Sequence, residues 1–326
     1  MASFHQSKFG FFGIPFKTDF FHRQYSPTKR PPALSIQKAS PRHFQAIRRL
    51  SNVDGEYKPI LYKILRDRSE YVRYFDIGEF WISPDGRLIL ARPLKSKSGK
   101  MASRETFLHY LYIHAGSFAL IKLGKEPLHA TVLEKDGKGI ALIGDSGDGK
   151  STLACFLVQR GFRLLTDDLL ILEKKKKRFM ALPGMPRIKL FPETARILLK
   201  KKSKSLPMNP QSRKSIFRIP AGKACHQPIP LARIYLLPSQ QHKSWLKSVH
   251  FRNLKGRSAV MEIMNASYNQ LADTGNRPRQ LMDFATDLAR RIPVRALNYP
   301  RGFRHFPRIE EIITADLRED NIPRKS

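Results

Sequence analysis

Short apolar runs and longer stretches of helical periodicity divide most of the chain into predicted strands and helices. Short, mostly apolar runs predict strands at 128–133, 139–143, 231–237, 260–264 and 294–298. Apolar residues at helical spacing predict helices at 150–160, 278–291 and 308–317. A longer apolar segment, 103–123, begins with a serine and ends before a glycine, so it predicts a buried helix.

The first part of the chain has a different pattern. Residues 1–68 are rich in proline, basic and aromatic residues, and the prolines interrupt any long element. We predict a basic, partly disordered extension there, with helices only at 41–50 and around 58–67. Further on, Asp85-Gly86 between two apolar runs predicts a β-hairpin. The predicted parts are an extension at 1–68, a small hairpin-plus-helix subdomain at 69–126, a catalytic domain at 127–318 and a tail at 319–326.

The composition is that of an ordinary globular protein except for its charge. Hydrophobic residues make up 41% and charged residues 27%, and no stretch approaches the roughly 18 apolar residues of a membrane span. The N-terminus has no continuous apolar region typical of a secretory signal, and Cys155 and Cys225 form neither a disulfide framework nor a zinc cluster. These features predict a cytoplasmic protein. The formal net charge of +33 favours a generally basic surface, and nucleic acid is a less favoured partner that the charge alone keeps open.

One segment carries a specific nucleotide-binding motif. Gly144-Asp145-Ser146-Gly147-Asp148-Gly149-Lys150-Ser151 matches G-x-x-x-x-G-K-[ST] in full, between a predicted strand and a predicted helix. The glycines allow a tight turn whose N–H groups point at phosphate oxygens, and the N-terminus of the next helix adds partial positive charge. Lys150 is expected to reach the β- and γ-phosphates, and the Ser151 hydroxyl is expected to coordinate Mg²⁺. With Thr152, which comes next, the motif predicts a site for ATP and Mg²⁺.

A few polar residues near the motif are candidates for the chemistry. Asp167-Asp168 follow the strand after the P-loop helix, where a magnesium-binding acid is expected. Because adjacent strand residues point to opposite faces, both carboxylates reach the phosphates only at a bulge or a strand end. One could hold the metal while the other accepts a proton from an attacking hydroxyl. On the sequence alone, His129 is better explained as a core histidine, and Arg187 and Lys189 either face solvent or neutralise phosphate charge.

The order of these residues resembles a known family. From Leu128-His129 through the P-loop and Arg160-Gly161 to Thr166-Asp167-Asp168, the chain resembles the catalytic domain of HPr kinase/phosphorylase and, more closely, the shorter HPr-kinase-like serine kinases. The resemblance implies an α/β P-loop kinase fold of the HPr kinase / phosphoenolpyruvate carboxykinase-like type, with a mixed sheet flanked by helices. It also implies that Asp167 is the general base, Asp168 the metal-associated acid beside Ser151, and His129 the active-site histidine.

Two departures from the family's pattern narrow the expectation. Thr152 stands where the family usually has glutamate, and the Gly/Arg-rich signature segment of HPr kinase/phosphorylases is not recognisable after residue 190. Both departures favour the short-form kinase over the bifunctional enzyme.

Three functional hypotheses follow. The leading one is an ATP- and Mg²⁺-dependent serine kinase that acts on a protein or peptide, with Lys150, Asp167 and His129 as its catalytic residues. A small-molecule kinase on the same scaffold differs only in acceptor-binding loops such as 200–228. A non-catalytic nucleotide-binding regulatory protein is motivated by the net charge of +33, and the intact Lys150, Ser151 and Asp167-Asp168 argue against it. A homo-oligomer is left open in each case.

Overall fold

The structure is a computed structural model that describes residues 4–7, 11–20, 25–27, 29–50, 60–74, 76–96, 98–200, 213–270, 272 and 275–318. Its described residues form two compact units. The first draws on 1–127, 205–214 and 268–277, and the second on 128–204, 215–267 and 278–326. None of the described helices combines the length and the apolar character that crossing a membrane requires.

The first unit, as far as it is described, contains one eight-stranded sheet and three α-helices. The strands are β1 (Phe4–Ser7), β2 (Phe16–Thr18), β3 (Tyr25–Pro27), β4 (Leu34–Lys38), β5 (Ile60–Ile64), β6 (Glu70–Tyr74), β7 (Gly78–Ile82) and β8 (Leu88–Pro93). The helices are α1 (Pro41–Leu50), α2 (Arg104–His109) and α3 (Gly116–Lys122), and a π-helical turn, Tyr110–Ala115, joins the last two. The strand order is β3-β1-β2-β4-β8-β7-β6-β5. Strand β4 pairs parallel with β2 and β8, and the other pairs are antiparallel.

Local sequence signals in this unit are mostly confirmed. Strands β7 and β8 form the predicted hairpin, with Gly86 at φ 72° in its turn. The helix at 41–50 is confirmed, and Ser103 starts the 103–123 helical segment by accepting the Thr106 N–H at 3.1 Å. The helix predicted around 58–67 is wrong, because residues 60–64 form β5 and pair with β6, while 51–59 lie outside the described residues. Pairing with a neighbouring strand outweighs a weak local preference.

The boundary predicted at residue 68 falls within this unit. Strands from both sides of residue 68 share its sheet, since β4 pairs with β8 and β5 pairs with β6. The boundaries at 68, 126 and 318 stay predictions, and the tail at 319–326 lies outside the described residues.

The second unit, in its described part, is a mixed sheet with helices. Its strands are β9 (Ala130–Lys135), β10 (Lys138–Ile143), β11 (Arg163–Thr166), β12 (Leu172–Lys175), β13 (Arg178–Ala181), β14 (Arg187–Leu190), β15 (Ser215–Arg218), β16 (Ile229–Leu236), β17 (His250–Leu254) and β18 (Val294–Asn298). Its helices are α4 (Lys150–Gln159), α5 (Pro192–Leu199), α6 (Gln240–Lys243), α7 (Gly256–Asn265), α8 (Arg277–Arg291) and α9 (Phe306–Arg318). The main sheet runs β11-β9-β10-β16-β13-β12, with β18 beside β16 and β17 beside β18, and β14 pairs with β15 separately. The β10–β16 and β16–β18 pairs are parallel.

Alternate residues of the sheet belong to two separate hydrophobic clusters. Val132 and Ala141 pack in one cluster, which includes apolar residues of α7 and α8. Leu133 and Leu142 pack in the other, which includes apolar residues of α4 and α9. Because successive strand residues point to opposite faces, helices cover both faces of this sheet. The expected α/β architecture, a mixed sheet flanked by helices, is confirmed at this level.

One strand predicted in this unit is wrong. Residues 260–264 lie inside α7. Ala259 and Ile263, four residues apart, are fully buried, whereas Met261 is 41% exposed, so the pattern fits one helical face. A short apolar run cannot be assigned to strand or helix from its hydrophobicity alone.

A buried carboxylate ties the last helix to the sheet, and its removal should destabilise the protein. Asp316 on α9 accepts hydrogen bonds from Tyr235 Oη at 2.6 Å, Arg233 Nε at 3.2 Å and Arg295 Nη2 at 2.5 Å. Asp316→Ala leaves two guanidinium groups without this partner, so we expect a loss on the order of 3 kcal/mol in the free energy of unfolding. Urea denaturation measures this loss. Glu311→Ala, which breaks only an exposed pair with Arg308, is the control, and equal losses for both variants would refute the assignment.

Candidate nucleotide-binding site

The loop between β10 and α4 has backbone angles that only glycine adopts readily. Gly144, Gly147 and Gly149 have φ values of 142°, 103° and 93°. Gly149 immediately precedes α4, so the N–H groups in the first turn of that helix adjoin the loop. Within the loop, the Asp148 carboxylate accepts the Asp145 N–H at 2.7 Å. The segment therefore has the local form of a phosphate-binding turn at a helix N-terminus.

Lys150, the first residue of α4, reaches back across the loop. Its ammonium group donates to the carbonyl oxygens of Gly144 at 2.7 Å and Asp145 at 2.9 Å, and the residue is buried. The positive charge is thereby held at the start of the loop. The two other predicted binding residues belong to the same loop and helix. Ser146 is exposed in the loop, and Thr152 is half-buried in the first turn of α4.

Asp167 lies beside the P-loop serine. Ser151 Oγ donates to its carboxylate at 3.0 and 3.2 Å, Thr131 Oγ1 donates at 2.6 Å, and the Lys189 N–H donates at 3.1 Å. Strand β11 ends at Thr166, so the aspartate pair follows the strand end. The hydroxyl predicted to bind a metal and one of the two predicted carboxylates are thus in direct contact.

Asp168 faces a basic strand. Its φ of 77° is unusual for a residue with a side chain, and its carboxylate lies 2.6 Å from the Lys189 Nζ on β14. Arg187 on the same strand is buried, at 6% exposure, and its charge also acts on Asp168. The solvent-facing alternative is therefore wrong for Arg187 and Lys189, and Lys189 contacts both aspartates.

The two carboxylates differ in their preference for a proton. Burial and then the neighbouring Asp168 charge raise the pKa of Asp167 above its usual range. Burial also acts to raise the pKa of Asp168, but the charge and hydrogen bond of Lys189, together with the charge of Arg187, outweigh it and hold that pKa below its usual range. Two acids whose environments separate their pKa values are typical of a site that divides proton transfer from charge stabilisation.

His129 lies at the same pair of acids as a neutral imidazole. Its Nδ1 is 3.0 Å from the backbone carbonyl oxygen of Asp168, and because a carbonyl oxygen only accepts, Nδ1 carries the hydrogen. Burial, followed by the Lys150 charge, lowers the pKa of His129 to about 4. His129 is thus half-buried and adjacent to Asp168.

The oxygen atoms at this site fit a magnesium ion. Ser151 Oγ and the carboxylates of Asp167 and Asp168 are hard oxygen donors, which Mg²⁺ prefers. No cluster of three or more His, Cys, Asp or Glu side chains suited to a metal occurs in the described part of the chain. Mg²⁺ needs no such cluster, because it is usually held by one or two carboxylates together with phosphate oxygens and water.

Sequence reasoning missed three residues at this site. Thr131 lies two residues after His129, so the two side chains point to the same face of the strand. A second polar residue on that face of an apolar strand could have indicated that Thr131 belongs to the site. Gln240 donates to the Gly147 carbonyl oxygen at 2.8 Å, and Lys243 donates to that of Asp148 at 2.5 Å. These two follow β16, more than ninety positions after the loop, and no motif indicates them.

Comparison with known proteins identifies relatives of the central segment. Residues 122–189 match the family model described as HPr Serine kinase C-terminal domain. The HPr kinase/phosphorylase of Prosthecochloris aestuarii is 37% identical over 59 residues, which cover 18% of this chain and 17% of the relative. That of Lachnoclostridium phytofermentans is 45% identical over 47 residues, covering 14% and 15%. That of Treponema pallidum (strain Nichols) is 52% identical over 42 residues, covering 13% of each. This chain therefore spans 13–17% of the length of these relatives.

A solved structure is also similar. The Hpr(Ser) kinase/phosphatase from Coxiella burnetii has 15% sequence identity and a TM-score of 0.36, covering 60% of this chain and 92% of that chain. A score at this level does not define a common fold. The family model covers the segment with the P-loop and the aspartate pair, and the resemblance expected from these residues is confirmed: residues 122–189 are related to the C-terminal domain of the HPr kinases.

Proposed function

We propose that the loop at 144–151 binds ATP with Mg²⁺ and that the chain transfers the γ-phosphoryl group to a serine hydroxyl of a protein or peptide. One observation carries the proposal: Ser151, at the start of the P-loop helix, donates to Asp167 at 3.0 Å, while Lys150 spans the same loop. The family model that matches residues 122–189 and the curated relatives of this chain are named as kinases, which supports the same reaction.

The binding residues have separate roles in this proposal. The loop N–H groups and the helix N-terminus receive phosphate oxygens, and Lys150 exchanges its contacts with the Gly144 and Asp145 carbonyls for the β- and γ-phosphates. Ser151 and Asp168 would hold Mg²⁺, which would neutralise charge on the phosphate oxygens. Lys189, paired with Asp168, keeps that carboxylate ionised.

Asp167 is the proposed general base. The serine oxygen forms a bond to the γ-phosphorus, the bond from that phosphorus to the bridging oxygen breaks, and ADP leaves. Asp167 takes the proton of the serine hydroxyl, and its raised pKa makes it the better proton acceptor of the pair. His129 is neutral at pH 7, so it orients Asp168 through the Nδ1–H hydrogen bond to the Asp168 carbonyl.

The acceptor is the least constrained part of the proposal. HPr is the first acceptor to test, because the relatives are named HPr kinase/phosphorylase. The purified chain, γ-labelled ATP and Mg²⁺ should be incubated with HPr, with a mixture of serine-containing peptides and with small hydroxyl compounds. Label on protein or peptide serine supports the proposal. Label on a small compound alone identifies the small-molecule kinase, and ATP binding without any transfer identifies the regulatory protein.

A glycine substitution separates nucleotide binding from stability. Gly149 and Gly161 have nearly equal φ values of 93° and 91°, so alanine at either position should cost a similar 1 kcal/mol or so in the free energy of unfolding. Only Gly149→Ala changes the P-loop, where its new Cβ would lie 3.6 Å from the Lys243 ammonium. We expect Gly149→Ala to weaken ATP binding about 10-fold and Gly161→Ala to leave it unchanged, as measured by calorimetry. Equal affinities for the two variants would contradict the assignment of the loop.

A further inference from the structure

A short segment far from the P-loop in sequence contacts two successive carbonyl groups of the loop. Gln240, the first residue of α6, donates from Nε2 to the Gly147 carbonyl oxygen at 2.8 Å. Lys243, the last residue of α6, donates from Nζ to the Asp148 carbonyl oxygen at 2.5 Å. Arg301 holds α6 by donating to the Gln240 carbonyl oxygen at 2.7 and 3.2 Å. The loop is therefore supported by side chains that are not part of its motif.

Lys243 is buried, which disfavours its charged form. It is 5% exposed, its Nζ lies 4.5 Å from the centre of the Tyr299 ring, and none of the ion pairs among the described residues includes it. The charged groups that face it are Asp148, which favours the ammonium form, and Arg301, which disfavours it. Burial, with this repulsion, lowers the pKa of Lys243 to about 8.

That lowered pKa means that the charge of Lys243 costs folding stability. Between pH 8 and the ordinary lysine pKa the unfolded chain holds a proton that the folded chain has lost, so this group makes folding less favourable as pH falls through that range. Residues that cost stability and contact a binding loop are typical of functional positions.

The geometry of the peptide group indicates what Lys243 does. The C=O and N–H of a trans peptide point in opposite directions, and no cis peptide bond occurs among the described residues. A cation that holds the Asp148 carbonyl oxygen on one side of the loop therefore fixes the Gly149 N–H on the other. Gln240 fixes the preceding peptide in the same way, and the N–H of Asp148 donates within the loop to Asp145 at 3.2 Å. The Gly149 N–H is thus the loop donor whose direction depends on Lys243.

We propose that Lys243 is a positioning residue for nucleotide binding, which orients the Asp148–Gly149 peptide so that the Gly149 N–H points at the phosphates. This inference rests on the proposed binding of ATP at the loop. Lys243 acts through the backbone, so it changes the affinity for the phosphate chain and not for the base.

The test compares Lys243→Met with Lys247→Met in the full chain. Lys247 is exposed and follows Lys243 by four positions, so its replacement removes the same charge from a side chain that is not buried against the loop. Calorimetry with Mg²⁺ measures binding of ATP and of inorganic tripolyphosphate, which has phosphates but no base. We expect Lys243→Met to weaken both ligands by the same factor, about 10-fold, and Lys247→Met to weaken neither. The unfolding temperature of Lys243→Met should stay equal or rise, because the cost of burying the charge disappears.

A pH series distinguishes positioning from simple packing. The affinity of the wild-type chain for MgATP should fall relative to that of Lys243→Met as pH rises through about 8, because the charge that orients the peptide is lost there. The wild-type series alone shows this fall if the variant does not fold, with Lys247→Met giving the same profile as the wild type.

The possible failures are distinct. If the wild-type chain binds neither ATP nor tripolyphosphate, the proposed nucleotide site itself fails. If it binds both and Lys243→Met binds them as tightly as Lys247→Met does, the positioning role is overturned while the nucleotide site stands. Lys243 is a packing residue if Lys243→Met unfolds at a lower temperature and the ratio of wild-type to variant affinity for MgATP does not change with pH. That result also overturns the positioning role.

Discussion

Replacement of Lys150 by alanine is expected to reduce phosphoryl transfer by about 1,000-fold, because one preorganised cation at the phosphates is removed. The ammonium group of Lys150 also donates to the Gly144 and Asp145 carbonyls, so the substitution removes two contacts that hold the start of the loop. Transfer of label from γ-labelled ATP to the acceptor measures the loss, and ATP binding should weaken with it.

The control for this prediction is Lys247, an exposed lysine outside the P-loop. Lys247→Ala removes one exposed positive charge, so any effect of the net charge of +33 on attraction of ATP appears in both variants. Transfer that persists in Lys150→Ala at the level of Lys247→Ala would show that the loop is not the phosphate site.

Asp167→Asn is expected to reduce transfer by about 100- to 10,000-fold while ATP binding stays within a few fold of the wild type. The asparagine cannot accept the proton of the serine hydroxyl. It keeps a carbonyl oxygen that can accept from Ser151 or Thr131, so the loop and β9 keep a partner at this position. Single-turnover transfer, measured beside calorimetric binding of ATP, separates the two effects.

Asp167→Asn should lower the rate of transfer without lowering the free energy of unfolding. The pKa of Asp167 is raised in the folded chain, so at pH values above the ordinary aspartate pKa this group costs folding stability that asparagine does not. We therefore expect the free energy of unfolding of Asp167→Asn to be unchanged or higher. Asp287→Asn, at an aspartate paired with Lys174 and Arg291 away from the loop, is the control and should transfer normally. If Asp167→Asn transfers phosphate as fast as the wild type, Asp167 is not the general base.

The contrast with Asp168 follows from the same electrostatics. Lys189 at 2.6 Å keeps Asp168 ionised, so its proposed role is to hold the metal. The hydrogen bond from Ser151 goes to Asp167, which places the base and the metal-binding hydroxyl in contact. Because the pKa of Asp167 is raised and that of Asp168 is lowered, the two neighbours can have different roles, one accepting a proton and the other holding the metal.

Features encoded by contiguous residues could be predicted from the sequence. The glycine spacing of the loop appears in the structure as positive φ values at Gly144, Gly147 and Gly149, because these conformations select the residue type directly. The hairpin at Asp85-Gly86 follows from the same kind of local rule. The pattern of 278–291 predicts α8 because apolar residues recur on one helical face over a long stretch.

Features that depend on distant parts of the chain could not be predicted in this way. The apolar residues of 260–264 suit a strand or a helix, and only burial of Ala259 and Ile263 on one side decides for α7. Lys189 reached the aspartates and Lys243 reached the loop through tertiary folding, and Lys243 lies 95 positions from its partner Asp148. No local spacing encodes such a contact. Sequence analysis left Lys189 open between a solvent-facing and a charge-neutralising residue, and in a chain with 60 lysines and arginines no motif distinguishes Lys243 from the rest.

The central claim is that the glycine-rich loop and the adjacent acid bind a nucleotide together with a metal. The most direct measurement is a calorimetric titration of ATP into the full chain, with Mg²⁺ and with EDTA, for the wild type and for Lys150→Ala. We predict one ATP per chain, tighter binding with Mg²⁺ than with EDTA, and loss of that binding in Lys150→Ala. Absence of binding by the wild type, or binding that neither Mg²⁺ nor Lys150 affects, would contradict the claim.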